Sequence, residues 1–545
     1  MLTPDNSTGR QAIFILQIDF MGQTYRFAQA KIDLGDLSYD GELRDFAHKE
    51  QSQLIGIDIE ANTINCAVCF DNVDLVKKWR SGHTLDGSTA ELSFVLQDDD
   101  NITAYDDRIV TFSGVISQPV IGDPLEPSGF AAFSIEQRPF DFSETFLNPE
   151  HVITKTTFSQ HDTETAGGKP YPFIFGTPGQ PRSSDGATVD VFCTPAYMSR
   201  KAAGNYHMLI AGHPVEATQV KIQDEAGNTA TLAVVEAVDA RGQPYSYIDV
   251  TTSAIVYPGK TLLSAGENAS VSEWWCSWVS GGGFKNPFGD GVLTGGGDVC
   301  QYALLLTRQT VDFGAWANVS NVINAYQFSG YINDPEVTAW DWVSSNILPF
   351  LPVEVVSGPK GIRPILASVY ASSYLQPVAN ITADREFYIV DAIKTQTDIS
   401  DIINRVSLRF AKGGFDQDFV EIARVGDFEE NNQEQRSDIY AQVSKNKFGE
   451  LSATLESEYV YDRDTAFLIC HTMVRSKSAP LVTLDYQSDI HFGYLMLGDL
   501  ITLTDNNLYL DNTFCTVVSK QWTGVFWRYI LAIQDTPIQL GRYND

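Results

Sequence analysis

The run Ile13-Phe-Ile-Leu-Gln-Ile18 decides the class of fold. Ile13, Ile15 and Gln17 alternate with Phe14, Leu16 and Ile18, so apolar residues fall on both faces, as in a buried strand. Working outward, the same signal returns in Thr24-Tyr-Arg-Phe-Ala28, Leu54-Ile-Gly-Ile-Asp-Ile59, Glu91-Leu-Ser-Phe-Val-Leu96, Arg108-Ile-Val-Thr-Phe-Ser-Gly114 and Ala131-Ala-Phe-Ser-Ile-Glu136. Turn clusters such as Ser81-Gly-His83 and Asp98-Asp-Asp-Asn101 lie between them. Short strands at this spacing predict a barrel or sandwich, here a β-barrel-like domain over residues 1–165, with a short connecting helix at 72–79.

Beyond it the chain changes composition. Gly167-Gly-Lys-Pro-Tyr-Pro172 and Gly176-Thr-Pro-Gly-Gln-Pro181 mark a linker or boundary. A small inserted β domain is expected over 190–265, carrying Tyr206-His-Met-Leu-Ile-Ala-Gly212 and a hairpin turn at Asp224-Glu-Ala-Gly-Asn228. Residues 266–380 read as an α/β middle domain. Its helices are expected at 299–308 and, from Val337, Trp340, Val343 and Ile347, over a stretch entered at Asn333-Asp-Pro335 and ended by Pro349. Residues 381–545 open with a helix at 398–404 and return to strands such as Val406-Ser-Leu-Arg-Phe410 and Asp499-Leu-Ile-Thr-Leu503, a second β-barrel-like domain. The fold class is therefore β-rich and multidomain, with two barrel-like ends flanking a β insertion and an α/β segment. No short internal repeat is present.

Charge narrows the function. The 545 residues hold 69 acidic and 37 basic side chains, a net charge of −32. A nucleic-acid binder needs a basic footprint, and pairs such as Lys77-Lys78 are isolated. Net acidity serves solubility, or lets a carboxylate-lined channel pass DNA without holding it. The seven cysteines, Cys66, Cys69, Cys193, Cys276, Cys300, Cys470 and Cys515, are odd in number and sparse, which suits a reducing cytoplasm and not a disulfide framework. The first residues do not read as a secretory signal, and no apolar stretch of about 18 residues is present to span a membrane.

Chemical motifs are few. Pro258-Gly-Lys-Thr261 ends like a phosphate loop, but Ala254 stands where the motif needs glycine. Gly295-Gly-Gly-Asp298 lacks the dinucleotide fingerprint and reads as flexible or tight turns. Cys66-Ala-Val-Cys69 has ligand spacing without a second pair, inside a run that reads as a buried strand. Cys470-His471 has no third ligand nearby, and the eight histidines (His48, His83, His151, His161, His207, His213, His471 and His491) show no base–orienter partner in sequence. The acidic runs Asp98–Asp100 and Glu429-Glu430 read as solvated loops rather than glycosidase pairs. Trp274, Trp275 and Trp278, and Trp340 with Trp342, suit packing or an interface ahead of a sugar platform. No catalytic, cofactor-binding or metal residue is assigned, and no cofactor is expected.

One resemblance is carried by longer stretches. Gly295-Gly-Gly-Asp-Val-Cys-Gln-Tyr-Ala-Leu-Leu-Leu306 precedes Val311-Asp-Phe313, Tyr326-Gln-Phe-Ser-Gly-Tyr-Ile-Asn333 and Trp340-Asp-Trp342. Leu348-Pro-Phe-Leu-Pro352, Gly361-Ile-Arg-Pro364 and Phe492-Gly-Tyr-Leu-Met-Leu-Gly-Asp-Leu-Ile-Thr-Leu-Thr504 follow. With Arg138-Pro-Phe140, Lys169-Pro-Tyr-Pro-Phe-Ile-Phe-Gly176 and Leu209-Ile-Ala-Gly-His-Pro-Val215, this order resembles the tail-tip (baseplate) hub proteins of tailed bacteriophages, over about 130–545. The resemblance implies a non-enzymatic virion subunit, assembled in the bacterial cytoplasm. It implies a homotrimeric ring with two β-barrels per subunit, matching a sixfold tail tube. The implied partners are the distal tail or tail tube protein, the tape measure protein and a central fibre or spike. DNA only passes through the channel during ejection, and the chain inserts in no membrane. A tail-tip cell-wall hydrolase and a sugar-recognising fibre protein are the alternatives.

Overall fold

The computed structural model describes residues 11–51, 63–69, 73–98, 101–102, 104–121, 130–136, 143–179, 182–184, 187–257, 260, 273–307, 310–358, 360–383, 387–389, 395–396, 399–415, 417–488, 490–523 and 526–533. The expected strand at 54–59 lies outside them. The first strand, Gln11–Phe20, pairs antiparallel with Gln23–Ala28 on one side and Thr89–Asp98 on the other. The sheet continues through Ile109–Ile121, Phe130–Glu136 and Thr63–Cys69 to Leu43–Gln51. It does not stop there. Gln51 lies opposite Ser519 and His48 opposite Trp522, so Leu43–Gln51 hands the sheet on to Leu510–Trp522 near the other end of the chain. Trp527–Ile533, Val482–Ser488 and Phe387–Ile389 complete the path of a 15-stranded sheet.

The fold is β-rich and multidomain, but its two end blocks share that sheet and one core. Phe14 lies 4.5 Å from Phe46, 5.4 Å from Phe94 and 5.0 Å from Trp522, and Trp522 lies 5.1 Å from Trp527. Phe14, Leu16 and Ile18 face this core, while Ile13 and Ile15 pack on the other face with Tyr39 and Val95. That two-sided burial is what an apolar run without polar alternation produces.

The inserted β domain is a seven-stranded sheet that curls on itself. Its edge strands, Thr194–Pro195 and Tyr197–Ala202, are separated only by Ala196. The expected hairpin forms between Gln219–Asp224 and Thr229–Val238, with Asp224 accepting the Asn228 amide and Gly227 at φ 81°. The sheet also takes in Trp274–Ser280, beyond the expected boundary at 265.

The middle core is built from two stretches that lie far apart in sequence. Helices Gly296–Leu306, Phe313–Ile323 and Ala339–Asn346 pack in one cluster with the four-stranded sheet and helix Arg463–Lys477 of residues 405–477. Thus 405–477 leaves the C-terminal β block, and the chain rejoins the large sheet at Val482–Ser488. The helix expected at 398–404 is a single 3₁₀ turn, Ile399–Asp401, followed after three residues by the strand Arg405–Lys412. The helix expected from Asn333-Asp-Pro335 starts later, with Thr338 accepting the Asp341 amide as N-cap, and Leu348–Phe350 adds a 3₁₀ turn.

Two seams join the cores. In the glycine- and proline-rich stretch read as a linker, Phe173 and Phe175 enter the middle core, whereas Tyr171 and Ile174 enter the core of the curled inserted sheet, the barrel of this molecule. The hairpin Val353–Gly358 with Gly361–Leu366 likewise sends Val355, Ile362 and Leu366 into the middle core and Val356 and Ile365 into the large-sheet core.

Candidate functional site

The barrel, the middle helices and the 405–477 unit meet around a pocket of about 420 Å³. From the barrel comes Trp275. Its strand alternates, so Trp274 and Trp278 point into the barrel core while Trp275 points outward. From the middle come Tyr331, in the short strand Gly330–Ile332, and Trp342, in the helix Ala339–Asn346. The third wall holds Lys412, Gly414, Tyr459 and Tyr461. Trp275 stands nearly edge-on to Tyr331 at 6.1 Å and 71°, and Trp342 to Tyr459 at 4.9 Å and 75°.

Hydrogen bonds and glycines fix these rings. Trp342 Nε1 donates to the Tyr459 hydroxyl at 3.3 Å, and the Tyr461 hydroxyl donates to the Lys412 carbonyl at 3.0 Å. A Cβ on Gly414 would lie 2.2 Å from the Trp275 ring, and one on Gly330 would lie 2.6 Å from the Tyr459 ring. Burial pushes the Tyr459 and Tyr461 hydroxyls up, so both stay neutral. The exposed rim carries Asn333, Asp334 and Glu458, with Glu458 paired to Lys412.

Of the tryptophans singled out in sequence, Trp274, Trp278 and Trp340 pack in cores. Trp275 and Trp342 meet at the pocket. No sequence signal joined them; Tyr331 and Asp334 stood only in the hub-like stretch 326–333 and the helix entry 333–335, and Tyr459, Tyr461 and Lys412 were not singled out.

The other motifs resolve differently. Lys260, in the near-phosphate loop, donates to its own loop carbonyls on Ser253 and, at 2.9 Å, on Ile255. Gly295-Gly-Gly297 is not a flexible turn. A Cβ at Gly297 would lie 2.4 Å from Ile323 and one at Gly296 would lie 2.6 Å from Leu351, so the run lets a helix start in close contact with its neighbours. Cys66-Ala-Val-Cys69 lies within the strand Thr63–Cys69, where position 66 pairs with position 133 of the neighbouring strand. Cys193, Cys276, Cys300, Cys470 and Cys515 are buried, and no disulfide joins them. Burial pushes the Cys470 thiol up to about 12, so it stays protonated. Glu429 and Glu430 are exposed, and residues 99–100 lie outside the described residues. Among the described residues no group of three or more His, Cys, Asp or Glu side chains is placed to hold a metal ion. No described helix is long and apolar enough to cross a membrane.

One histidine does have an acidic partner. His471 Nδ1 lies 2.7 Å from Asp438 Oδ2, and Arg475 Nε lies 3.4 Å from the same oxygen. Burial pushes the Asp438 carboxyl up, but the His471 ring, the Tyr440 amide and the Arg475 charge together hold it below the usual carboxylate range. Asp438 is also the N-cap of the helix Ile439–Phe448, accepting the Tyr440 amide at 2.9 Å. The cluster therefore ties one helix start to the side of another.

No family model matches the chain, and no curated protein matches it. Among solved structures it is similar to a tail protein from Neisseria meningitidis MC58, at 9% identity and a TM-score of 0.37, over 96% of this chain and 97% of that one. It is also similar to a 43 kDa tail protein of prophage MuSo2 from Shewanella oneidensis, at 7% identity and a TM-score of 0.36, over 97% of each chain. A chain from the virion of a native gene transfer agent particle follows, at 10% identity and a TM-score of 0.36, over 73% of this chain and 89% of that one.

Proposed function

We propose that this chain is a structural, non-catalytic subunit of a phage tail or related tail-like particle, placed at the tail tip as its hub. The observation that carries the reading is the pairing of residues 48–51 with 519–522. It sets the first and last β regions side by side in one sheet around one core. A subunit of that kind supplies two adjacent β regions, so a trimer supplies six around an axis and meets a sixfold tube without a change of symmetry. The long stretches that resemble hub proteins run through the middle core and the late strands, which support this pair.

In this reading the ring joins the tail tube or distal tail protein and the tape measure to a central fibre, and DNA leaves through its opening. Carboxylates face that opening. With a net charge of −32, the surface repels phosphates instead of collecting them. The purified full-length protein is expected at about three times 60.2 kDa by light scattering, with a central hole in negative stain. It should retain no duplex DNA on a filter even at low salt. A monomer at all concentrations, or a basic opening in the ring, would overturn the reading.

A further inference from the structure

We propose that the pocket between the barrel, the middle helices and the 405–477 unit is a binding site for a neutral saccharide of one or two rings. Its size is the first argument. The open cleft holds about 420 Å³, many times the share of one water. It lies within the range of about 300–1,000 Å³ typical of small-molecule sites.

The second argument is the construction of the walls. Trp275 and Tyr459 each rest on a glycine that leaves no room for a side chain, and Trp342 is held by its bond to Tyr459. The aromatic surface is thus placed before any ligand arrives, which lowers the cost of ordering it. In the bond from Trp342 the Tyr459 hydroxyl is the acceptor, so its own proton remains for a ligand oxygen.

The third argument is the charge and polarity of the rim. Asp334 and Glu458 repel phosphates and carboxylates. The Lys412 ammonium is paired with Glu458 in the same lining, so of these three rim charges a single negative one, on Asp334, is left over. A polyol with apolar ring faces fits what remains. Its C–H faces lie on the indole and phenol rings. Its hydroxyls donate to Asp334, Glu458 and the Asn333 carbonyl, and accept from Lys412, the Asn333 amide and Tyr459. Because the lining comes from three packed units, a bound sugar stabilises their contact. The site stands whether or not the chain forms a ring.

Saturation-transfer NMR on the full-length protein tests the proposal. The probes are methyl glucoside, methyl galactoside, N-acetylglucosamine and their β1→4 disaccharides, with choline and inorganic phosphate alongside. At least one neutral sugar is expected to give a saturable signal and to raise the melting temperature. Trp275→Ala should weaken that binding at least tenfold. Asp334→Ala, at an exposed position, should weaken it several-fold without altering unfolding. Should Trp275→Ala not fold, Trp275→Phe is expected to retain part of the affinity. Absence of a saturable signal from every sugar overturns the site, as does binding unchanged by Trp275→Phe and Asp334→Ala, or binding of choline or phosphate alone.

Discussion

At the scale of the residue, His213 shows how one side chain sets a pH response. It is buried at the seam between barrel and middle core, where the Ile174 amide donates to Nε2 at 3.0 Å and Nδ1 meets the Pro214 carbonyl at 2.7 Å. The amide fixes the tautomer: Nδ1 carries the proton and Nε2 has no place for another. Burial pushes the imidazolium down to about 4, although the Pro214 carbonyl favours the charged form. Above pH 6.5 the ring is neutral in folded and unfolded chains alike, and its contacts are fully present. As pH falls from 6.5 towards 4, the unfolded chain takes up a proton that the folded chain refuses. Stability then drops by about 1.4 kcal/mol per pH unit, reaching about 3 kcal/mol. Urea unfolding of the protein and of His213→Gln at pH 7, 5.5 and 4.5 checks this, because other groups titrate in both. The wild-type advantage should shrink with each step down, and an unchanged difference would sink the assignment. His213 was visible in sequence only as a lone histidine after a glycine. Its two partners are backbone atoms, which leave no residue signature.

At the scale of the element, strands were legible and helices were less so. Period-two alternation and apolar runs marked the strands near 24–28, 91–96, 109–114, 131–136 and 406–410, because each buries one or both faces locally. The helix Arg463–Lys477 was missed for a physical reason. It is buried on most sides, so Ala466-Phe-Leu-Ile-Cys470 forms a continuous apolar run that fits a strand equally well. Its start signal was nonetheless present: Asp462 accepts the Thr465 amide at 2.7 Å, and Arg475 and Lys477 sit in the last turn. Asp462→Ala should cost about 1 kcal/mol in denaturant unfolding, while Asp462→Asn, which keeps an acceptor, should cost only a fraction of that. The glycine run at the start of helix Gly296–Leu306 belongs to the same scale. Gly297→Val would drive a side chain into Ile323 and should cost about 1–3 kcal/mol as overpacking, read as a lower urea midpoint at unchanged slope.

At the scale of the whole molecule, the decisive contacts join residues that sequence reading treats as strangers. The two end blocks were expected as separate barrel-like domains, and each has the strands for one. Their union rests on four backbone pairs between 48–51 and 519–522, and on aromatic packing across the same line. Neither leaves a pattern that a single sequence displays, and the pocket walls drawn from 275, 331, 342 and 459 are hidden for the same reason. Trp522 is the test of the union. It is 6% exposed, stacks on Phe46 at 5.9 Å and 7°, and touches Phe14 and Trp527. Trp522→Ala should therefore cost about 3–5 kcal/mol. The more telling consequence is where the loss appears. If the ends fold as one body, hydrogen exchange should accelerate in Gln11–Phe20 and Thr89–Asp98 together with Leu510–Trp522 and Trp527–Ile533. Independent domains would instead confine the loss to the strands after residue 480. Protection of Gln11–Phe20 that is unchanged in the variant would separate the two ends, and with them the paired β regions on which the proposed ring rests.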